Sequence, residues 1–157
     1  MSDSQMNLKP TILLVDDSED DLFMMRMAFK KAASNCFVLR EAGNGEEAIA
    51  YISGEGKYAD RLEFPYPTVM LIDLNMPLKD GFEVLAWLHS QPQLKRISVI
   101  VLSASSRPED VERAYQLGAN SYLVKPTTIE SLVALIGCLL QWLGYNHFPP
   151  RNAAVRR

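Results

Sequence analysis

The sequence predicts an α/β fold, a doubly wound parallel sheet of five strands with helices on both faces. Two observations predict it. Short apolar runs alternate with longer segments of helical period, the arrangement of successive βα units. The runs at 11–15, 68–72, 97–102 and 121–124 are also nearly unbroken stretches of aliphatic and β-branched residues, as strands covered on both faces should be. The run at 37–41 is more polar and fits an edge strand.

The helical segments fall at 19–33, 45–53, 80–90, 107–117 and 127–143. Ser18 with Asp21 three residues on reads as a capping box for the first, and Glu19, Asp20 and Asp21 suit the positive end of its dipole. Met24, Met25 and Met27 read as core filling. Asn44 caps the second helix, and Gly118 follows the fourth as a C′ residue. The connection at 54–67 is far longer than the roughly 2–6 residues usual between a helix and a strand, and reads as an elaborated surface loop.

At 157 residues the chain accommodates one domain of ordinary size, read here as 11–143 between a flexible N-terminus at 1–10 and a C-terminal tail at 144–157. Hydrophobic residues at 48% and charged residues at 22% are those of a globular domain, and a net charge of −3 argues against a nucleic-acid partner. Cys36 and Cys138 lie in no metal-binding or disulfide pattern and read as buried thiols in a reducing compartment. His89 and His147 lack partners at metal spacing. With no run of about 18 uncharged apolar residues, no membrane span is expected, and the cytoplasm is the expected location.

The chemistry lies in the residues that end the strands. Asp16 and Asp17 end the first, Asp73 the third, Ser103 the fourth and Lys125 the fifth. Parallel strands place all their carboxyl ends on one edge, where ligands bind at the point of reversal in strand order. In a 2-1-3-4-5 sheet that point lies between the two strands carrying the aspartates. Three gathered carboxylates repel one another unless a cation intervenes, and oxygen-only ligands favour Mg²⁺, with Mn²⁺ possible. A carboxylate such as Asp73 can then act as a nucleophile toward phosphorus. Lys125 and the metal would neutralise the phosphoryl oxygens, and Ser103 would donate a hydrogen bond.

Val15-Asp16-Asp17, Asp73-Leu74-Asn75-Met76-Pro77, Asp80-Gly81, Ser103-Ala104 and Tyr122-Leu123-Val124-Lys125-Pro126 together resemble the receiver domains of two-component response regulators. The resemblance spans residues 11–143 and implies the flavodoxin-like receiver fold, with strand order 2-1-3-4-5. It implies that Asp73 accepts a phosphoryl group from a phosphohistidine on a sensor histidine kinase. It assigns Mg²⁺ to Asp17, Asp73 and the backbone carbonyl of Asn75, with Asp16 acting through water. It makes Ser103 and Tyr122 a switch pair and Lys125–Pro126 a cis peptide. The 54–67 loop, Leu94-Lys95-Arg96-Ile97 and the Trp-containing end are most similar to the single-domain regulators that serve bacterial phytochrome kinases.

Three rival readings fit less well. A phosphatase with an aspartate nucleophile would carry Asp-x-Asp where this chain has Asp73-Leu74-Asn75, so no turnover of external substrates is expected beyond groups contributed to the domain's own phosphorylation and dephosphorylation. A flavodoxin-like cofactor binder would need a Gly/Ser/Thr-rich phosphate loop after strand one, where this chain is acidic. A receiver that only binds partners would be expected to lack one of the acidic pair, Asp73 or Lys125.

The last helical segment carries more apolar residues than one buried face needs, 11 of the 15 from Ile129 to Leu143. Ile129, Leu132, Val133, Ile136, Leu140 and Leu143 share one side and are expected against the sheet. Leu135, Cys138 and Trp142 form a second stripe, which predicts a two-fold homodimer. The competing expectation is that the 144–157 tail covers that stripe.

Overall fold

The computed structural model describes residues 9–32, 35–94 and 96–148. Among them, strands β1 (Thr11–Val15), β2 (Val38–Ala42), β3 (Val69–Ile72), β4 (Ser98–Ser103) and β5 (Ser121–Val124) form one sheet in the order β2-β1-β3-β4-β5. Every neighbouring pair is parallel. Helices α1 (Glu19–Ala32), α2 (Gly45–Ser53), α3 (Gly81–His89), α4 (Pro108–Gln116) and α5 (Ile129–Tyr145) connect or follow the strands. The order therefore reverses between β1 and β3, as expected.

The two faces of the sheet carry separate cores, and strand periodicity sorts them. Leu13, Val15, Met70, Ile72, Val99 and Val101 point to the side covered by α2, α3 and α4. Ile12, Leu14, Val69, Leu71, Ile100 and Leu102 point to the side covered by α1 and α5. Alternate residues of one strand thus serve opposite faces, which is why these strands are apolar throughout.

The 54–67 connection is ordered by packing its aromatic rings onto the core beneath α2. Gly56–Tyr58 make a 3-10 turn, and the rings of Tyr51, Tyr58 and Phe64 pack with centroids 5.1–5.9 Å apart. Arg61 donates to the carbonyls of Tyr51 and Ile52, each at 2.7 Å, and so closes the end of α2.

Several expectations need correction. β2 lies one residue later than expected, at Val38–Ala42, and α5 runs on to Tyr145. The expected helix limit at 33, most of the N-terminal segment 1–10 and the tail beyond 148 lie outside the described residues. Both cysteines are exposed and free of disulfides, since Cys36 lies in the turn before β2 and Cys138 on the outer side of α5. Asn44 does cap α2 through Glu47 N–H at 2.9 Å. At the start of α1 Ser18 accepts from Asp21 N–H at 3.2 Å, but the Asp21 carboxylate does not close a box and turns to Lys125 instead. The full capping box is Asp80 with Glu83, at the start of α3. The Lys125–Pro126 peptide is trans, as are all described peptides.

Candidate phosphoacceptor site

The carboxyl ends of β2, β1 and β3 are tied together where the aspartates emerge. Asp73 N–H donates to the carbonyl of Val15 at 2.9 Å, and Asp16 N–H to Ala42 at 3.2 Å. Asp16 and Asp73 are buried, at 6% and 9% exposure, while Asp17 faces solvent. Ser18 N–H donates to Asp16 Oδ1 at 3.0 Å, so the turn that starts α1 also orients the first aspartate.

The loop after β3 is held by glycines. A Cβ on Gly81 would lie 2.4 Å from the carbonyl oxygen of Asp73, and one on Gly45 would lie 2.2 Å from that of Lys79. Only a residue without a side chain lets α2 and α3 approach the loop this closely. Leu78, with φ of 65°, takes the left-handed conformation that the turn imposes. Asn75 N–H reaches Asp73 Oδ1 at 3.5 Å, and the Asn75 side chain is exposed.

Lys125 arrives from the end of β5, its backbone N–H bonded to the Ser103 carbonyl at 2.8 Å. Its ammonium donates to Asp16 Oδ2 and Asp21 Oδ2 at 2.7 Å each and to Asp73 Oδ2 at 3.3 Å. Burial holds the Asp73 carboxyl above the usual carboxylate range; Lys125 pulls it down and Asp16 pushes it up. Burial works against charge on Lys125 as well, but its hydrogen bonds to Asp16 and Asp21 and the field of Asp73 prevail, and its ammonium sits above the usual lysine range.

Ser103 is fully buried, and its hydroxyl accepts from Ser105 N–H at 3.2 Å. Tyr122, on β5, donates its hydroxyl to the Ser105 carbonyl at 2.8 Å. The expected switch pair therefore meets through Ser105, which is itself tied to Asp110 Oδ2 at 2.5 Å. The structure thus joins Asp16, Asp17, Asp73 and Lys125 in one cluster and places Ser103 and Tyr122 on an adjoining chain of hydrogen bonds. Asp21 was missed as a member of the cluster. Its only sequence signal is its position one helical turn after Asp17, which reads equally as a charge at a helix start.

Ligand oxygens of Asp16, Asp17 and Asp73 all lie within 4.8 Å of one another. A cluster of three carboxylates with no cysteine or histidine among them suits a hard divalent cation, Mg²⁺ or Mn²⁺, and such a cation removes the repulsion that assembling them creates.

A reversing parallel sheet that gathers three aspartates, a lysine and a buried hydroxyl at its carboxyl edge has the construction of a phosphoryl-accepting signalling domain. The comparisons agree. The family model "Response regulator receiver domain" matches residues 12–137. Response regulator Rcp1 of Synechocystis sp. is 37% identical over 138 residues, which cover 87% of this chain and 89% of that protein. The crystal structure of the phosphorylated cyanobacterial phytochrome response regulator RcpA superposes with a TM-score of 0.81 at 36% identity, covering 90% of this chain and 99% of that one. The Mn²⁺-bound form of Rcp1 gives a TM-score of 0.79 at 34% identity with the same coverages. The chain belongs to the response regulator receiver domain family, close to the phytochrome response regulators.

Proposed function

We propose that Asp73 is the phosphoacceptor, that Asp16, Asp17, Asp73 and the carbonyl of Asn75 serve a Mg²⁺ ion, and that a sensor histidine kinase supplies the phosphoryl group. The observation that carries this reading is the Lys125 ammonium, 3.3 Å from a buried Asp73 carboxylate that also belongs to the metal-binding triad. An Asp73 oxygen attacks phosphorus as the bond from phosphorus to the donor nitrogen breaks, and the departing imidazole keeps the electron pair. When bound, the cation supplies positive charge to the transferring phosphoryl oxygens. Lys125 shifts its third N–H from Asp73 to a phosphoryl oxygen, and Ser103 turns its hydroxyl toward the same group. Releasing Ser103 from Ser105 loosens the loop that Tyr122 grips, which passes the change to the surface of β5. Hydrolysis of the aspartyl phosphate returns the domain to its starting state, so it acts as a switch without an external substrate of its own.

Similarity to regulators of phytochrome kinases points to a bacteriophytochrome as the cognate kinase and to the cytoplasm as the location. No described helix is long and apolar enough to cross a membrane. Self-association is part of the same reading. Cys138 and Trp142 are exposed on α5, beside a groove lined by Ala32, Ala134 and Gly137, and they offer a self-complementary patch for a homodimer. Leu135, the third member of the expected stripe, is partly buried against the α1/α5 core.

Incubation with acetyl phosphate and Mg²⁺, followed by intact-mass measurement, tests the acceptor. Wild type should gain one phosphoryl group, and Asp73→Asn none. Uptake by the Asn variant would show that another residue is the nucleophile.

A further inference from the structure

The Lys125 ammonium has three N–H bonds, and three carboxylates take them. Two of those carboxylates, Asp16 and Asp73, also belong to the metal-binding triad, while Asp21 does not. When Asp16 and Asp73 serve a cation, and Asp73 becomes an acyl phosphate, Asp21 is the one partner of Lys125 left with no competing task. We propose that Asp21 is a positioning residue for phosphoryl transfer, holding the Lys125 ammonium over Asp73 while the other two carboxylates change partners. The inference rests on the reading that Asp73 is phosphorylated.

The local structure supports such a role. Lys125 extends from an edge strand on a flexible four-carbon stem, so placing its charge has an entropic cost that a fixed anchor removes in advance. Asp21 is such an anchor: its N–H is held by Ser18 at 3.2 Å, and Ser18 N–H in turn holds Asp16 at 3.0 Å. One turn therefore aims two carboxylates at one ammonium. The Asp21 side chain is 46% exposed, against 8% for Asp16 and 11% for Asp73. Ion pairs on that side of the cluster add little to folding, so removing this one should leave the fold intact.

The test uses the full chain as wild type, Asp21→Asn, Asp21→Glu, Asp73→Asn and Lys125→Ala. In the metal-free protein, the ¹⁵N resonance of the Lys125 ammonium should be sharp in wild type, broadened or lost in Asp21→Asn and recovered in Asp21→Glu. With acetyl phosphate at saturating Mg²⁺, Asp21→Asn should lower the maximal phosphorylation rate about tenfold, the effect of losing one charge-assisted hydrogen bond. The half-saturating Mg²⁺ concentration and the urea midpoint should not move, and Asp21→Glu should restore most of the rate. In the Lys125→Ala background, Asp21→Asn should cause no further loss, because the two residues act as one unit. A wild-type rate and ammonium signal in Asp21→Asn would overturn the proposal. So would a loss matched by weaker Mg²⁺ binding, or one that adds to that of Lys125→Ala. The control separates the two failures: labelling of Asp73→Asn removes the underlying reading, whereas an unlabelled Asp73→Asn beside an unaffected Asp21→Asn removes this proposal alone.

Discussion

At the scale of single residues, the site depends on an atom that is absent. Gly81 has no Cβ, and one placed there would lie 2.4 Å from the Asp73 carbonyl oxygen and 2.7 Å from Leu74 Cα. Both neighbours are backbone, so neither can turn aside as a side chain would. Gly81→Ala should therefore cost about 1–3 kcal/mol, the usual range for forced overpacking, read as a lower urea midpoint with an unchanged slope. The same displacement moves Asp73, so phosphorylation by acetyl phosphate should slow in parallel. A variant as stable and as readily phosphorylated as wild type would show that the loop yields without disturbing the acceptor. Gly81 could be read from the sequence as part of the Asp80-Gly81 motif, but the reason for it lies in the approach of α3 to the end of β3.

At the scale of elements, the 54–67 connection packs onto the main core and carries a buried titrating group. Burial pushes the Tyr66 phenol up to about 12, from an ordinary value of 10.0. Its hydroxyl is buried without a hydrogen-bond partner among the described residues, while Arg61 lies over its ring at 5.7 Å. A group with a raised folded pKa contributes full stability below its unfolded value. That contribution fades as pH rises through the folded value, because the unfolded chain sheds its proton first. Stability should consequently fall between pH 10 and about 12 through this residue. Tyr66→Phe should flatten the fall in urea midpoints over that window and be neutral or stabilising near pH 7, since it removes an unsatisfied hydroxyl. An identical alkaline slope in the variant would place the titration elsewhere.

At the scale of the whole molecule, the carboxyl edge concentrates negative charge that folding must bring together. Mg²⁺ that binds the folded chain and not the unfolded one should raise its stability by about 2.7 kcal/mol at about 100 times its Kd. Thermal melts with and without Mg²⁺ measure this. Asp17→Asn should abolish most of the shift, and no shift in wild type at saturating Mg²⁺ would remove the metal site. The proposed assembly turns on α5. The Trp142 ring is 42% exposed, although Phe148 meets it edge-on with centroids 6.1 Å apart. That contact is the start of the covering-tail alternative, so light scattering coupled to gel filtration is the discriminating measurement. A homodimer at micromolar concentration that Trp142→Glu splits, with Asp73 phosphorylation intact, is the expected result; a wild-type monomer would favour the tail.

What was legible in the sequence was whatever depends on local pattern. β1 and β5 fell at the expected residues, and the acidic pair, Asp73, Ser103 and Lys125 could be placed at strand ends because parallel strands share one carboxyl edge. What had to wait for the tertiary structure was every choice between neighbours distant in sequence. Asp21 has the local setting of a helix-start charge, and only the packing of α1 beside α5, which begins just after Lys125, brings it to a lysine 104 residues away. Leu139 is buried although it lay outside the expected sheet-facing stripe, because α5 packs on Met25, Ala28 and Phe29 of α1 as well as on the sheet. The same packing half-covers Leu135 and leaves Cys138 exposed. Helical periodicity shows that an apolar face exists, but the width of its buried sector depends on how many elements close over it, and that is settled only when they meet.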